Sequence, residues 1–158
     1  MTSLPIAPVL ADADKNLDAN IERLFDFIRI PSLSADPAYK PHIIKAANWI
    51  CAELKSLSCE TSVRETPGCP MVVGHYTPPN ATSKTPHALF YGHYDVQPAD
   101  PLELWSSPPF EPLRKKDKDG VERMYGRGTA DDKGQLMTFV EAARSFIRVH
   151  GQLPIKAT

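Results

Sequence analysis

Ala88-Leu89-Phe90-Tyr91-Gly92-His93-Tyr94-Asp95 is the stretch that decides how this chain is read. Four continuous apolar residues are too few for a helix, and a run of that kind predicts a strand buried on both faces. The polar residues at its carboxyl end lie where open α/β sheets collect their ligands. On extended backbone, residues i and i+2 point to the same side, so His93 and Asp95 share a face. The Asp95 carboxylate can then hold the His93 ring and fix its tautomer, as carboxylates behind metal-bound histidines do. The spacing alone is weak. Chance yields such a His-x-Asp about once in three chains of this composition, and the plain alternative is a histidine hydrogen-bonded at a strand end.

The segments on either side predict the rest of the layer. Leu17, Ile21, Leu24, Phe25 and Ile28 recur at helical spacing. Pro31 ends that helix, and Ile30-Pro31-Ser32-Leu33-Ser34 with Asp36-Pro37 reads as a turn. A second helix is expected from about Pro41 to Leu57, with Ile43, Ala47, Ile50, Leu54 and Leu57 on one face and Pro41 in its first turn. Cys59, Thr61 and Val63 alternate with polar residues, and Met71 to Tyr76 is a short apolar run, so both predict strands. Asp119-Gly120 between Phe110–Lys116 and Arg123–Tyr125 predicts a hairpin. Leu136, Val140, Ala143 and Ile147 predict a third helix that Gly151 closes, and a further strand begins between Leu153 and Thr158. Helices alternating with short strands give an α/β domain, a mixed sheet with flanking helices, over residues 15–158. Residues 1–14 are expected to be a flexible arm.

Composition narrows the function classes. The chain has 158 residues, 42% hydrophobic and 23% charged, enough for one globular domain with a real core. Eighteen Lys and Arg against 19 Asp and Glu leave a net charge of −1. That balance argues against nucleic acid or a membrane surface as a partner held by charge. Sixteen prolines, about twice the ordinary share, are scattered among only 8 glycines and point to stiff loops. Three cysteines without a C-x-x-C spacing suit neither a disulfide framework nor a zinc knuckle, and a reduced, cytoplasmic setting is expected. The first positive charge, Lys15, follows the apolar amino terminus, which is the wrong order for a secretory signal.

A second candidate for chemistry is Gly126-Arg127-Gly128-Thr129-Ala130-Asp131-Asp132-Lys133-Gly134. Paired carboxylates between glycines, just before a helix, are well placed to bind a metal, and an aspartate shared between two cations is the expected device of two-metal hydrolytic sites. The plain alternative is that Asp131 and Asp132 cap the helix. The glycines are not a phosphate loop, because Lys133 precedes its glycine. His42, His75, His87 and His150 have no partner at ligand spacing and are expected to be surface or packed histidines. Trp105 to Phe110 lines a pocket or, more commonly, pins a loop. The serine-hydrolase pattern G-x-S-x-G is missing.

Taken in order, Leu89 to Pro98, Trp105-Ser106-Ser107-Pro108-Pro109-Phe110-Glu111-Pro112 and Tyr125 to Gly134 resemble the M20 metallopeptidases, a family of dipeptidases, aminoacylases and deacylases. The opening helix with Ile30-Pro31-Ser32 is similar to the family as well. Val96-Gln97-Pro98 and Ser107-Pro108-Pro109-Phe110 are similar to the dipeptidase branch more than to the desuccinylase branch. The resemblance implies the amino-terminal portion of a phosphorylase/hydrolase-like zinc-peptidase catalytic domain. It implies His93 as a ligand of one zinc, and Asp95 as the catalytic-site aspartate that orients that histidine. It further implies Asp131 as the carboxylate bridging two zinc ions, and Asp132 as the neighbour that shapes the site, often after a cis peptide bond. Manganese or cobalt can replace zinc in such a site.

The implied chemistry is metal-assisted hydrolysis of the amide bond of a dipeptide or related small peptide, with a glutamate as general base. The resemblance places that glutamate, the later ligands and a lid or dimerisation domain downstream of Thr158. Glu141 does not supply the base. The expectation is therefore a truncated portion that is inactive by itself, the complete enzyme being compatible with a homodimer. The alternatives are an N-acyl amino-acid deacylase of the same family, or a non-catalytic α/β module that binds a partner through an open sheet edge.

Overall fold

The computed structural model describes residues 4–158. Strand β1 (Glu60–Arg64) pairs antiparallel with β2 (Met71–His75), Glu60 lying opposite His75 and Arg64 opposite Met71. Strand β3 (His87–Ala88) pairs in parallel with β6 (Lys156–Ala157). A bridge between Tyr76 and Ala157 joins the two pairs, so the strands run in the order β1-β2-β6-β3. The parallel and antiparallel contacts together make this the mixed sheet expected of the α/β reading. Strands β4 (Leu113–Lys116) and β5 (Glu122–Tyr125) form the hairpin predicted around Asp119-Gly120. Gly120 sits at φ +76°, where a side chain would be strained.

The α-helices among the described residues are α1 (Ala7–Lys15), α2 (Leu17–Ile28), α3 (Lys40–Ser56) and α4 (Lys133–His150). Helix α3 lies against β1 and β2, while α4 packs on α1 and α2. Each buries a stripe: Ile43, Ala46, Ala47 and Ile50 on α3, and Met137, Val140 and Ala143 on α4. The last helix ends at Gly151, in the left-handed conformation at φ +75°, and its N–H donates to the Ile147 carbonyl. On α2 the buried set is Leu24, Phe25, Phe27 and Ile28, whereas Leu17 at the start of the stripe is exposed. Phe27 escapes the sequence pattern because it faces across to α3, where its ring stacks on Trp49 at 4.5 Å. No helix among the described residues is long and apolar enough to cross a membrane.

Charged side chains also tie the helices together. Glu141 of α4 is nearly buried and accepts from Arg23 of α2 through both carboxylate oxygens, each at 2.7 Å. Arg144 donates to the same carboxylate at 3.2 Å and also pairs with Glu53 of α3. Three helices thus share one ion network, and Glu141 is committed to it.

Two expectations need correction. The flexible arm over residues 1–14 is replaced, from Ala7, by helix α1. Val9 is buried, Arg148 donates to Asp12 at 2.9 Å, and His150 Nε2 lies 3.0 Å from the Pro5 carbonyl oxygen. Helix α4 supplies the surface that holds it; residues 1–3 lie outside the described residues. The run Ala88–Tyr91 is also not a strand buried on both faces. Regular pairing ends at Ala88, and Leu89 and Tyr91 are 80% and 88% exposed. Phe90 stacks on Phe139 of α4 at 3.7 Å and yet stays 44% exposed. A strand is buried on both faces only when elements cover both, and here α4 covers one.

Candidate metal centre

The short segment after β3 and the turn before α4 meet at the top of the layer. His93 Nε2 lies 3.0 Å from Asp131 Oδ1, and His93 Nδ1 lies 3.2 Å from both Asp95 Oδ1 and the Asp95 carbonyl oxygen. Protonated on both nitrogens, the ring donates from Nδ1 to Asp95 and from Nε2 to the Asp131 carboxylate, which is 77% exposed; loss of the Nε2 proton leaves that nitrogen's lone pair for a metal. Burial works against a charge on His93, but the hydrogen bond to Asp131 and the nearby Asp95 outweigh it and raise the imidazole above its ordinary value. The four candidates taken from the sequence, His93, Asp95, Asp131 and Asp132, are therefore brought together from positions almost forty residues apart.

Asp132 bears on the capping alternative. It occupies the N-cap position of α4, yet its side chain makes no capping bond. Instead its Oδ2 accepts from the His93 backbone N–H at 2.9 Å. Gly92 permits this approach: a Cβ there would sit 3.2 Å from Asp132 Oδ2 and 3.0 Å from Leu136 Cδ1. The Asp131–Asp132 peptide bond is cis.

Several contributors were not singled out from the sequence. The turn after α2, read from the sequence as a turn and as part of the family resemblance but not as part of the site, is a cradle for the His93–Asp95 segment. Ser34 Oγ donates to Asp95 Oδ2 at 2.5 Å, Ser32 Oγ donates to the Tyr94 carbonyl at 2.6 Å, and the Val96 N–H donates to the Ser32 carbonyl at 2.9 Å. Tyr94 donates its hydroxyl to the Pro70 carbonyl at 2.5 Å, and burial pushes its phenol up to about 12. Beneath the site Lys133 is fully buried, its Nζ donating to the carbonyls of Phe27 at 2.9 Å and Ile30 at 2.7 Å. Burial lowers its amine to about 7, against the pull of Asp95. A signal existed only in the charged residue's place directly before an apolar helix; nothing in the spacing named its acceptors.

The remaining candidates fall into place. Trp105 pins a loop, its indole N–H donating to the Ala99 carbonyl at 2.8 Å while the Arg127 guanidinium lies over its ring. His75 and His87, without ligand spacing in the sequence, both reach the Thr158 hydroxyl, at 2.9 and 2.8 Å, because β6 lies between their strands. The three cysteines are free. Among the described residues no three His, Cys, Asp or Glu side chains converge to hold a metal ion. The donors present, one imidazole nitrogen and one carboxylate, are of the right chemistry for zinc but amount to half of a four-donor site.

Residues 89–158 match the model of the peptidase family M20/M25/M40. The chain is 32% identical to the Cys-Gly metallodipeptidase DUG1 of Candida albicans over 165 aligned positions, which cover 96% of this chain and 33% of that protein. Among solved structures it is similar to the dipeptidase Dug1p of Saccharomyces cerevisiae, with a TM-score of 0.80 at 25% identity, covering 96% of this chain and 33% of that one. Human carnosine dipeptidase 1 shares the fold, with a TM-score of 0.84 at 21% identity over 97% of this chain and 33% of its own. The chain thus spans about a third of the length of the relatives it matches.

Proposed function

We propose that this chain contributes the His93–Asp131 half of a metallopeptidase centre acting on dipeptides or related small peptides. In that reading residues 15–158 form the amino-terminal portion of the catalytic domain. The observation that carries it is the convergence of His93 Nε2 and Asp131 Oδ1 at 3.0 Å with Asp95 behind the ring. Zinc suits this donor pair; two ions would occupy the complete site, with manganese or cobalt as substitutes. The metallodipeptidase relatives and the Val96-Gln97-Pro98 element support a dipeptide substrate. A cytoplasmic setting, no nucleic-acid or membrane partner, and a homodimeric complete enzyme belong to the same reading.

When bound, such a metal supplies a water of lowered pKa and a polarised scissile carbonyl. The chain's own residues prepare the place. Asp95 accepts the Nδ1 proton and so fixes the tautomer that leaves Nε2 free to coordinate. Ser34 holds the Asp95 carboxylate, and Asp132 holds the His93 main chain, so the ring meets Asp131 without reorganisation. Glu141 is engaged with Arg23 and Arg144 in the helix layer, away from the pair, and does not supply the glutamate base that the family resemblance implies. The chain by itself is therefore expected to be inactive towards dipeptides.

Zinc titration of the 158-residue chain by calorimetry tests this. His93→Ala and Asp131→Ala should each weaken binding about tenfold or more. Binding indifferent to both substitutions would overturn the assignment.

A further inference from the structure

We propose that His75 and His87 form a two-imidazole site for a divalent late transition metal, with copper(II) the ion it favours most. The pair lies on β2 and β3, on opposite flanks of β6, and uses none of the residues placed in the His93–Asp131 centre. It does not rest on the metallopeptidase reading.

The sheet brings the two rings to one point. His75 stands one step from the Tyr76–Ala157 bridge and so beside Thr158, while His87 pairs with Lys156, which shares a face of β6 with Thr158. His75 Nδ1 lies 2.9 Å and His87 Nε2 2.8 Å from the Thr158 hydroxyl oxygen. With an ordinary angle at that oxygen the two nitrogens are about 5 Å apart. Backbone pairing fixes the register: Tyr76 and Ala157 exchange hydrogen bonds at 2.8 and 3.0 Å, and the Lys156 N–H donates to the Pro86 carbonyl at 2.9 Å. Thr158 marks where the rings meet, and the pairing of β2 and β3 with β6 puts them there.

The chemistry fits a metal. With both rings neutral, the single hydroxyl proton of Thr158 goes to one ring while the other ring donates to the oxygen, so one facing nitrogen already presents a lone pair. A divalent ion takes a lone pair from both. Imidazole suits copper, nickel and zinc, and copper(II) binds such donors most strongly of the three. A metal held at about 2 Å needs the nitrogens about 3 Å apart, a closing that small turns of two exposed rings supply. Glu60, the register partner of His75 on β1, brings a carboxylate to the same face and balances the Lys156 ammonium beside His87. Bound there, the ion ties β2 to β3 across β6.

The test adds copper(II) in steps below one equivalent to the whole chain and follows broadening of backbone amide signals by NMR. His42 and His150 serve as single-imidazole standards in the same spectrum. Residues 74–76, 87–89 and 156–158 should broaden at copper concentrations about tenfold or more below those that broaden residues 42–44 and 149–151, because the second imidazole acts at high effective concentration. His75→Gln and His87→Gln should each raise the copper needed about tenfold, with the β4–β5 hairpin signals unchanged as a check of the fold. Broadening around residues 93–95 and 131–132 reports the other pair separately, so the two readings stand or fall apart. Broadening at the pair and at the single histidines over the same copper range would overturn the proposal. So would a substitution of either histidine that leaves the other's broadening where it was, since each ring would then bind its own ion.

Discussion

Lys133 offers the sharpest physical test, because a fully buried amine beneath a cluster of carboxylates must choose between burial and charge. Burial brings it from an ordinary 10.5 to about 7 in the folded chain. In the unfolded chain the amine stays protonated up to its ordinary value, so between about pH 7 and 10.5 the unfolded state binds one proton more than the folded state. Stability therefore rises with pH through that window, is flat above it, and carries the full penalty below it. The slope is about 1.4 kcal/mol for each pH unit. The two carbonyl acceptors at 2.9 and 2.7 Å retain some of the charge and cut the total below the full value, to about 2–4 kcal/mol. The assay is urea unfolding in EDTA at intervals from pH 6 to 10.5, comparing the chain with Lys133→Met. The difference in unfolding free energy between the two should shift in favour of lysine as pH rises. A difference that stays level across the window would show that the Phe27 and Ile30 carbonyls keep the amine charged, and the burial argument would fail.

Other consequences are simpler to measure. Asp132→Ala removes the acceptor of the His93 N–H and should cost about 1–2 kcal/mol in urea unfolding, with Asp132→Asn losing less because an oxygen remains. Glu141→Ala strands Arg23 and Arg144 in a largely buried network and should cost about 3 kcal/mol, read as a fall in Tm, whereas a cost under about 0.5 kcal/mol would mean that solvent already screens the network. In metal-free chain the His93 ring should titrate above 6.5 by NMR, its stabilising contribution present at low pH and lost as pH rises through that value. Asp131→Asn should lower the titration point, and an unchanged value would separate the two side chains in solution.

Much of the architecture was legible from local chemistry. The apolar stripes of α3 and α4, the Asp119-Gly120 hairpin and Gly151 as a helix stop each follow from periodicity or from the φ a glycine allows. His93 and Asp95 were legible as a pair because extended backbone aligns alternate residues, and the two candidate motifs in order carried the family. What periodicity could not give is any relation across long separations. That Ser32 and Ser34 cradle residues 94–96, that Lys133 reaches the end of α2, and that Asp132 serves His93 rather than its own helix depend on how α2 and α4 pack.

The sequence by itself determined which residues are candidates for chemistry and most of the helices, strands and turns, because those properties are set by side-chain type and spacing along the backbone. Only the tertiary structure decided what each segment is exposed to. Leu89-Phe90-Tyr91 is as apolar as any buried strand, yet burial belongs to the neighbours rather than to the residue: α4 meets one ring face of Phe90, while all three residues stay exposed. The same holds at the amino terminus, where a segment with an unpromising pattern becomes helix α1 because α4 presents a surface for Val9 to bury against.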